Sequence, residues 1–282
     1  MLIIESIEEM KTLSNRFRHE GKTIGFVPTM GCLHSGHLSL VKRSLKTCDV
    51  TVVSIFINPH QFGETEDLLH YPTSPVEDNL WLKKEGVNVI FLPRQKTMYP
   101  TNFQTNVNVN EITKPLCGKS RPNLFKGVAT VVLKLFNIVR PDVAFFGEKD
   151  WQQLEVIRTM TRDLNLDTKI EGLPLMRDND GLAMSSRNQY LTNLERKSAL
   201  SLNRALKTAQ TLVKNGEYSA EKIKKVMWDM ISREPHTRID YISVCDAKTF
   251  TDREEVSGKA LIALAVHVGR ARLIDNCIVE KV

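Results

Sequence analysis

The chain has 282 residues, 41% of them hydrophobic and 26% charged, a composition that suits one large domain or two smaller ones with a real core. Its formal net charge of +6 comes without a dense Lys/Arg block, which argues against a nucleic-acid stripe and is compatible with a small anionic substrate. No run of about 18 apolar residues is present to span a membrane. The start, MLIIESIEEMKTL, lacks a secretion-signal pattern, and five widely spaced cysteines without Cys-x-x-Cys argue against a disulfide framework or zinc knuckle and for a reduced, cytoplasmic setting.

Residues 5–20 read as an amphipathic helix. A strand over Thr23–Val27 stops at Pro28, and a turn carrying His34 and His37 leads into a helix that runs to about Thr47. Val50–Ile57 (VTVVSIFI) is an apolar, β-branched run, as expected of a strand buried on both faces, and Asn58-Pro59 ends it. A helix opens at Ser74-Pro75 and stops near Gly86; Val89–Leu92 is a short buried strand, and 103–109 is expected to be an irregular strand. Leu124–Val139 carries a helical stripe closed by Pro141, Val143–Phe146 is a fourth buried strand, Asp150 is a candidate N-cap for a helix over Trp151–Asp163, and Thr168–Gly172 is a fifth strand. Short apolar strands alternating with helices predict an α/β fold with a doubly wound parallel sheet.

After about residue 175 the pattern changes. Thr192-Asn193-Leu194-Glu195 matches a capping box for a long helix ending at Asn215-Gly216, and a second helix covers Ala220–Ser232. Strands over Asp240–Val244, Ala260–Val268 and Leu273–Val279 follow. Helices followed by antiparallel-looking strands predict a smaller α+β C-terminal domain, so the expected division is 1–176 and 177–282.

Ligands of open α/β sheets bind beyond the carboxyl ends of the strands. Polar candidates cluster there: Met30, His34 and His37 after the first strand, Asn58, Gln61 and Phe62 after the second, and Gly147, Glu148, Lys149 and Asp150 after the fourth, with Gln153 one turn into the next helix. A phosphate at the histidine turn would meet helix amides and two imidazole donors, Gly36 leaving room for its approach; equally, one histidine caps a turn and the other lies on the surface. A lysine at a helix N-terminus opposes the macrodipole, which makes sense beside an anion, although a solvated Glu148/Lys149 turn is the plainer account. Gln61 and Gln153 suit hydroxyls or a carboxylate without altering charge. In MRDNDGLAMSSRNQYL (Met176–Leu191), Asp180-Gly181 makes a turn, and Ser185, Ser186 and Arg187 form a compact set that matches phosphate oxygens; the alternative is a plain polar loop.

Together these words resemble a known pattern. PTMGCLHSGH is a strand-end H-x-G-H signature like that of the nucleotidyltransferase superfamily, and MSSR is similar to its phosphate-binding loop. With SIFINPHQFG, DLLHYP, KLFNIVRPDVAFFGEKDWQQL and DGLAMSSRN in order over residues 24–191, the chain resembles the pantothenate synthetase (pantoate–β-alanine ligase) family. That resemblance implies a Rossmann-like N-terminal domain, a C-terminal lid, a homodimer, and ATP-dependent joining of pantoate to β-alanine with Mg²⁺ held mainly by ATP phosphates. It implies that His37, His34, Lys149 and Arg187 are catalytic. ATP would be bound by Met30, Gly31, Cys32, Leu33, His34, Ser35, Gly36 and His37, by Gly147, Glu148, Lys149 and Asp150, and by Met176, Met184, Ser185, Ser186 and Arg187. Gln61 and Gln153 would hold pantoate, with Gln61 also near β-alanine. The chain departs from the family at Asn123-Leu124, where Gly-His is common, at Thr73, where Arg follows Tyr-Pro, and at Cys32, where Ala is usual. The rival readings are a nucleotidyltransferase that retains NMP in its product and a catalytically silent nucleotide- or RNA-binding module.

Overall fold

The computed structural model describes residues 1–63 and 66–281. The chain forms two compact units: Met1–Val109, Arg121–Glu148 and Gln153–Pro174 make the first, and Asn110–Ser120, Lys149–Gln152 and Leu175–Val282 make the second. In chain order the elements are β1 (Leu2–Ile4), α1 (Ile7–His19), β2 (Ile24–Thr29), α2 (Ser35–Thr47), β3 (Val50–Ile55), α3 (Pro75–Glu85), β4 (Val89–Phe91), α4 (Gln95–Met98), α5 (Cys117–Ser120), α6 (Leu124–Val139), β5 (Val143–Gly147), α7 (Trp151–Asp163), β6 (Lys169–Leu173), α8 (Asn193–Lys214), α9 (Ala220–Ser232), β7 (Thr237–Asp246), β8 (Lys259–Val268) and β9 (Ala271–Glu280).

The first unit is built on a parallel sheet in the order β1-β4-β3-β2-β5-β6. Alternate residues of its strands enter two different cores. Phe26, Val52, Phe91 and Ala144 pack with α1 and α6 residues such as Phe17, Leu135 and Phe136. Val27, Val53, Ile90 and Phe145 pack on the other face with Leu40 and Val41 of α2 and Leu82 of α3. Burial on both faces is what the near-continuous apolar runs require. Taking each large side chain of this kind out of water contributes about 1.5–3 kcal/mol.

The helix ends follow local chemistry. The Ser6 hydroxyl accepts a hydrogen bond from the Glu9 amide, with Glu8 and Glu9 in the first turn of α1 and Arg16, Arg18 and His19 in its last. Pro75 opens α3, and Gly86 closes it with φ of 88°. Asp142 ties β2 to the start of β5, its carboxylate accepting the Ile24 amide at 2.7 Å.

Two local expectations are corrected. The strand expected over 103–109 does not form: the Val107 amide donates to the Thr130 hydroxyl of α6 at 2.9 Å, and Val107 and Val109 pack on the first core, so their alternation reflects docking on a helix. Asp150 is not a simple helix cap but the last residue of a 3-10 turn, Glu148–Asp150, that runs straight into α7. The edge strand β1, three residues long with Leu2 and Ile3 half-exposed, is too short to leave a periodic signal.

The second unit is built on an antiparallel sheet, β7-β8-β9. One face carries Ile262, Leu264 and Val266 against Leu202 and Leu206 of α8 and Ile223 and Met227 of α9. The other face packs Leu261 and Ala263 with Leu116, Phe250 and Trp151, whose indole N–H donates to the Ala247 carbonyl at 2.7 Å. The Thr192/Glu195 capping box forms as expected, each residue accepting the other's amide N–H.

Gly127 of α6 lies against the 3-10 turn Pro59–Gln61: a Cβ there would sit 2.2 Å from the His60 carbonyl oxygen. Gly127→Ala is therefore expected to destabilise the protein by about 1–3 kcal/mol, the usual scale of core overpacking. A urea melt checks this; an unshifted midpoint would show that α6 can retreat from the turn without loss.

Candidate active site

β2 lies between β3 and β5, the place where the strand order reverses. The chain therefore turns away to opposite sides after β2 and β5, and the carboxyl ends of these strands border a crevice. The histidine turn follows β2, Gln61 follows β3, and Glu148 follows β5, all in the first unit.

The histidine turn is held by a buried carboxylate. Gly31 and Cys32 take left-handed φ of 83° and 50° in succession. Such a turn aims consecutive amides at one point, an arrangement that binds anions. Here the anion is internal: the Asp78 carboxylate accepts the Cys32 amide at 2.9 Å and the Leu33 amide at 2.8 Å. Asp78 comes from the first turn of α3 and is 2% exposed. Burial pushes its carboxyl above the ordinary range, and the Leu33 and Cys32 amides pull it back.

His34 is the N-cap of α2, with extended backbone, and His37 is the third helical residue. The His34 Nδ1 accepts the Gly36 amide at 3.1 Å, and the His37 Nδ1 accepts the His34 amide at 3.3 Å. The pair forms a capping box made of imidazoles, with ring centroids 4.1 Å apart. Neither histidine is a bystander on the surface. Because both Nδ1 atoms accept, each ring carries its proton on Nε2 and presents an N–H donor without a positive charge. The Gly36 amide is already engaged by His34, so this much of the helix terminus is committed to the cap.

Gln61 closes the 3-10 turn after β3. The Asn58 side-chain amide, 1% exposed as a residue, donates to the Gln61 Oε1 at 3.2 Å and to the Gly127 carbonyl at 3.0 Å. The Gln61 Nε2 in turn donates to the Met30 sulfur at 2.9 Å, tying the turn after β3 to the turn after β2. Arg121 donates to Glu66 and to the Gln61 carbonyl, bracing the same turn. On α7, Gln152 is the buried structural amide: it bonds the Ile112 and Pro115 carbonyls and the Cys117 amide. Gln153, half-buried, is not used in this way. Of the departures, Leu124 opens α6 and packs partly buried on the first core, and Cys32 is buried within the histidine turn.

The second unit carries Lys149, Asp150, Met176 and the 184–187 segment. The Lys149 ammonium lies 3.7 Å from the Asp150 carboxylate. Residues 176–184 form a small hairpin: Arg177 pairs with Ala183, the Met184 amide donates to the Met176 carbonyl, and Gly181 turns at φ of 94°. Arg196 pins its tip through Asp178 and Asp180. Beyond the hairpin, the Ser185 hydroxyl caps the 3-10 turn Ser186–Tyr190 by accepting the Arg187 amide at 3.3 Å. Among the described residues, no cluster of three His, Cys, Asp or Glu side chains is arranged to hold a metal ion. Burial pushes the Cys245 thiol up to about 11 and the Cys277 thiol up to about 12, so both stay protonated and unreactive near neutral pH.

Sequence reasoning missed Asp78, Arg177, Asp275 and Asn276. Asp78 reads as an ordinary first-turn acid of a helix; its only signal is that it stands on the face with Leu82, which is fully buried. Asp78→Ala leaves the Cys32 and Leu33 amides buried without a partner and is expected to lower stability by about 2–6 kcal/mol, taking about 1–3 kcal/mol for each unmet donor. Denaturant titration measures this, and a loss under about 1 kcal/mol would show that water replaces the carboxylate.

Comparison with known proteins places these features in one family. The sequence profile described as pantoate-beta-alanine ligase matches residues 2–278. The chain is 55% identical over 280 residues to the pantothenate synthetase of Caldicellulosiruptor saccharolyticus, covering 99% of this chain and 100% of that one. The crystal structure of pantothenate synthetase from Thermus thermophilus superposes with a TM-score of 0.93 at 39% identity, covering 98% of this chain and 99% of that one. Pantoate-beta-alanine ligase from Francisella tularensis, solved with "beta-gamma ATP" and β-alanine, superposes with a TM-score of 0.83 at 33% identity, covering 99% of this chain and 97% of that one. A Rossmann-like parallel sheet whose strand-end turn is capped by two histidines, matched end to end at this identity, makes the chain a member of the pantoate–β-alanine ligase family.

Proposed function

We propose that this enzyme condenses (R)-pantoate with β-alanine, using ATP, to give pantothenate, AMP and pyrophosphate through a pantoyl adenylate. The observation that carries the reading is the family match over residues 2–278 in a chain whose paired histidines stand where the strand order reverses. The pantoate carboxylate attacks the α-phosphorus of ATP. The bond to the bridging oxygen breaks, and pyrophosphate leaves with the electron pair. Negative charge grows on the equatorial oxygens and on the leaving group, and preoriented donors offset it. His34 and His37 supply neutral Nε2–H donors, and Lys149, Ser185, Ser186 and Arg187 supply ammonium, hydroxyls and guanidinium.

Gln61 and Gln153 hold the pantoyl group, the Gln61 amide being oriented by Asn58 at Oε1 and by the Met30 sulfur at Nε2. The neutral amine of β-alanine, held near Gln61, then attacks the acyl carbon, loses a proton and displaces AMP. Holding acid and nucleotide in line contributes several kcal/mol through orientation. Mg²⁺ would be held mainly by the ATP phosphates, whose charge it would offset, and Asp150, beside Lys149, would be a carboxylate suited to a hydrated ion there. The remaining nucleotide contacts are Met30–His37, Gly147–Asp150, Met176 and Met184. We carry with this reading a nucleotide- and pantoate-binding domain over 1–176, a lid domain over 177–282, a homodimer and a cytoplasmic setting. No helix among the described residues is long and apolar enough to cross a membrane.

Release of AMP from ATP and Mg²⁺ tests the reaction, with pantoate and β-alanine added singly and together. AMP release coupled to pantothenate and requiring both acids is expected. ATP binding without pantoate-dependent pyrophosphate would remove this reading and favour a binding module, and retention of NMP in a product would favour a transferase. His37→Ala is expected to slow adenylate formation by roughly 10²-fold, the scale of losing one oriented donor. Near wild-type turnover in a rapid-quench assay would sink the role given to His37.

A further inference from the structure

Two neighbours on β9 hold the two cation-bearing segments of the second unit. Asp275, 3% exposed, receives a forked pair of hydrogen bonds from the Arg177 guanidinium, at 2.6 and 3.0 Å. Arg177 also donates to the Gly181 carbonyl at 3.2 Å, so the same guanidinium ties the first arm to the turn of the hairpin that leads to Ser185, Ser186 and Arg187. Asn276, the next residue, donates its side-chain amide to the Lys149 carbonyl oxygen at 2.8 Å. The Asp275 carboxylate in turn accepts the Asn276 backbone amide at 2.8 Å. Lys149, Ala183, Ser185 and Asp275 line one small cavity, so the two segments and their anchor meet around a shared space.

Loops carry the cations, and a strand carries the anchors. Successive residues of a strand face opposite ways, which lets one dipeptide reach two different segments. A long lysine and an arginine are useful to a transition state only if their backbones are held in place; an error of about 1 Å can cost about 10²-fold. We propose that Asp275 and Asn276 are positioning residues for the adenylation half of the reaction. Asp275 sets the phosphate hairpin through Arg177, and Asn276 sets the Lys149 backbone through its carbonyl. The inference rests on the roles given above to Lys149 and Arg187. It adds that these cations serve the departing pyrophosphate, which has left before β-alanine attacks.

The test separates the two half-reactions in the full-length enzyme. Pantoate-dependent exchange of labelled pyrophosphate into ATP reads the first. Single-turnover transfer from supplied pantoyl adenylate to β-alanine reads the second. For Asn276→Ala, exchange is expected to fall by about tenfold or more, with transfer and melting temperature unchanged. Asp275→Asn is expected to act in the same direction; if it does not fold, Arg177→Lys, which keeps the charge but loses the fork, takes its place. Unchanged exchange, or a parallel fall in both half-reactions, overturns the proposal, since a merely structural residue would depress both. Absence of pantoate-dependent exchange in the unmodified enzyme would instead overturn the reaction itself.

Discussion

A parallel sheet buried on both faces leaves its chemistry one place to go. With two helical layers packed against Phe26, Val27, Phe145 and their neighbours, the free surface of the sheet is the rim at the strand ends. At the carboxyl rim, β2 and β5 stand side by side where the strand order reverses, and their following turns diverge. The histidine turn, the Gln61 turn and the Glu148 turn all follow from that constraint. Gly127 belongs to it as well, because only a residue without a side chain lets α6 approach the Gln61 turn so closely.

The position of the histidines is at first sight the wrong one. A helix N-terminus favours anions and is a poor place for positively charged side chains. Here the imidazoles are acceptors toward the backbone and neutral donors at Nε2, so they satisfy the helix end and extend its donor character outward. The turn that presents them is strained at Cys32, a residue with a side chain in the left-handed region. Asp78 offsets that strain by accepting two charge-assisted hydrogen bonds from the turn.

The second unit solves a similar problem with different parts. Its cations, Lys149 and Arg187, sit on two short 3-10 turns, the second reached through the 176–184 hairpin. Arg196 fixes the hairpin tip, and the fork from partly exposed Arg177 to the buried Asp275 carboxylate fixes its base. Removing the arginine would leave the buried Asp275 carboxylate uncompensated, which is why such a fork sets geometry more firmly than a fully exposed ion pair does. The 3-10 turn after Ser185 then begins from a defined point.

Much of this was legible in the sequence, and the reason is local. The helices α6, α7 and α9 match their expected spans, the strands fall on their apolar runs although β2 continues to Thr29, past the stop expected at Pro28, and the Thr192/Glu195 box and the Asp180-Gly181 turn follow from residue chemistry within a few positions. The H-x-G-H and SSR words pointed to the family before any geometry. Periodicity states which face is covered but never by what. The partners that complete the site lie far off in sequence: Asp78 meets Leu33 across 45 positions, and Asp275 meets Arg177 across 98. The failed strand over 103–109 shows the same limit, since its alternating residues found a helix instead of a strand. The sequence by itself determined the elements, their order and the chemical words at the strand ends. Only the tertiary structure decided that segments 110–120 and 149–152 group with the C-terminal unit, that a buried carboxylate supports the histidine turn, and that β9 anchors Lys149 and the 176–184 hairpin, because those choices depend on packing the whole chain at once.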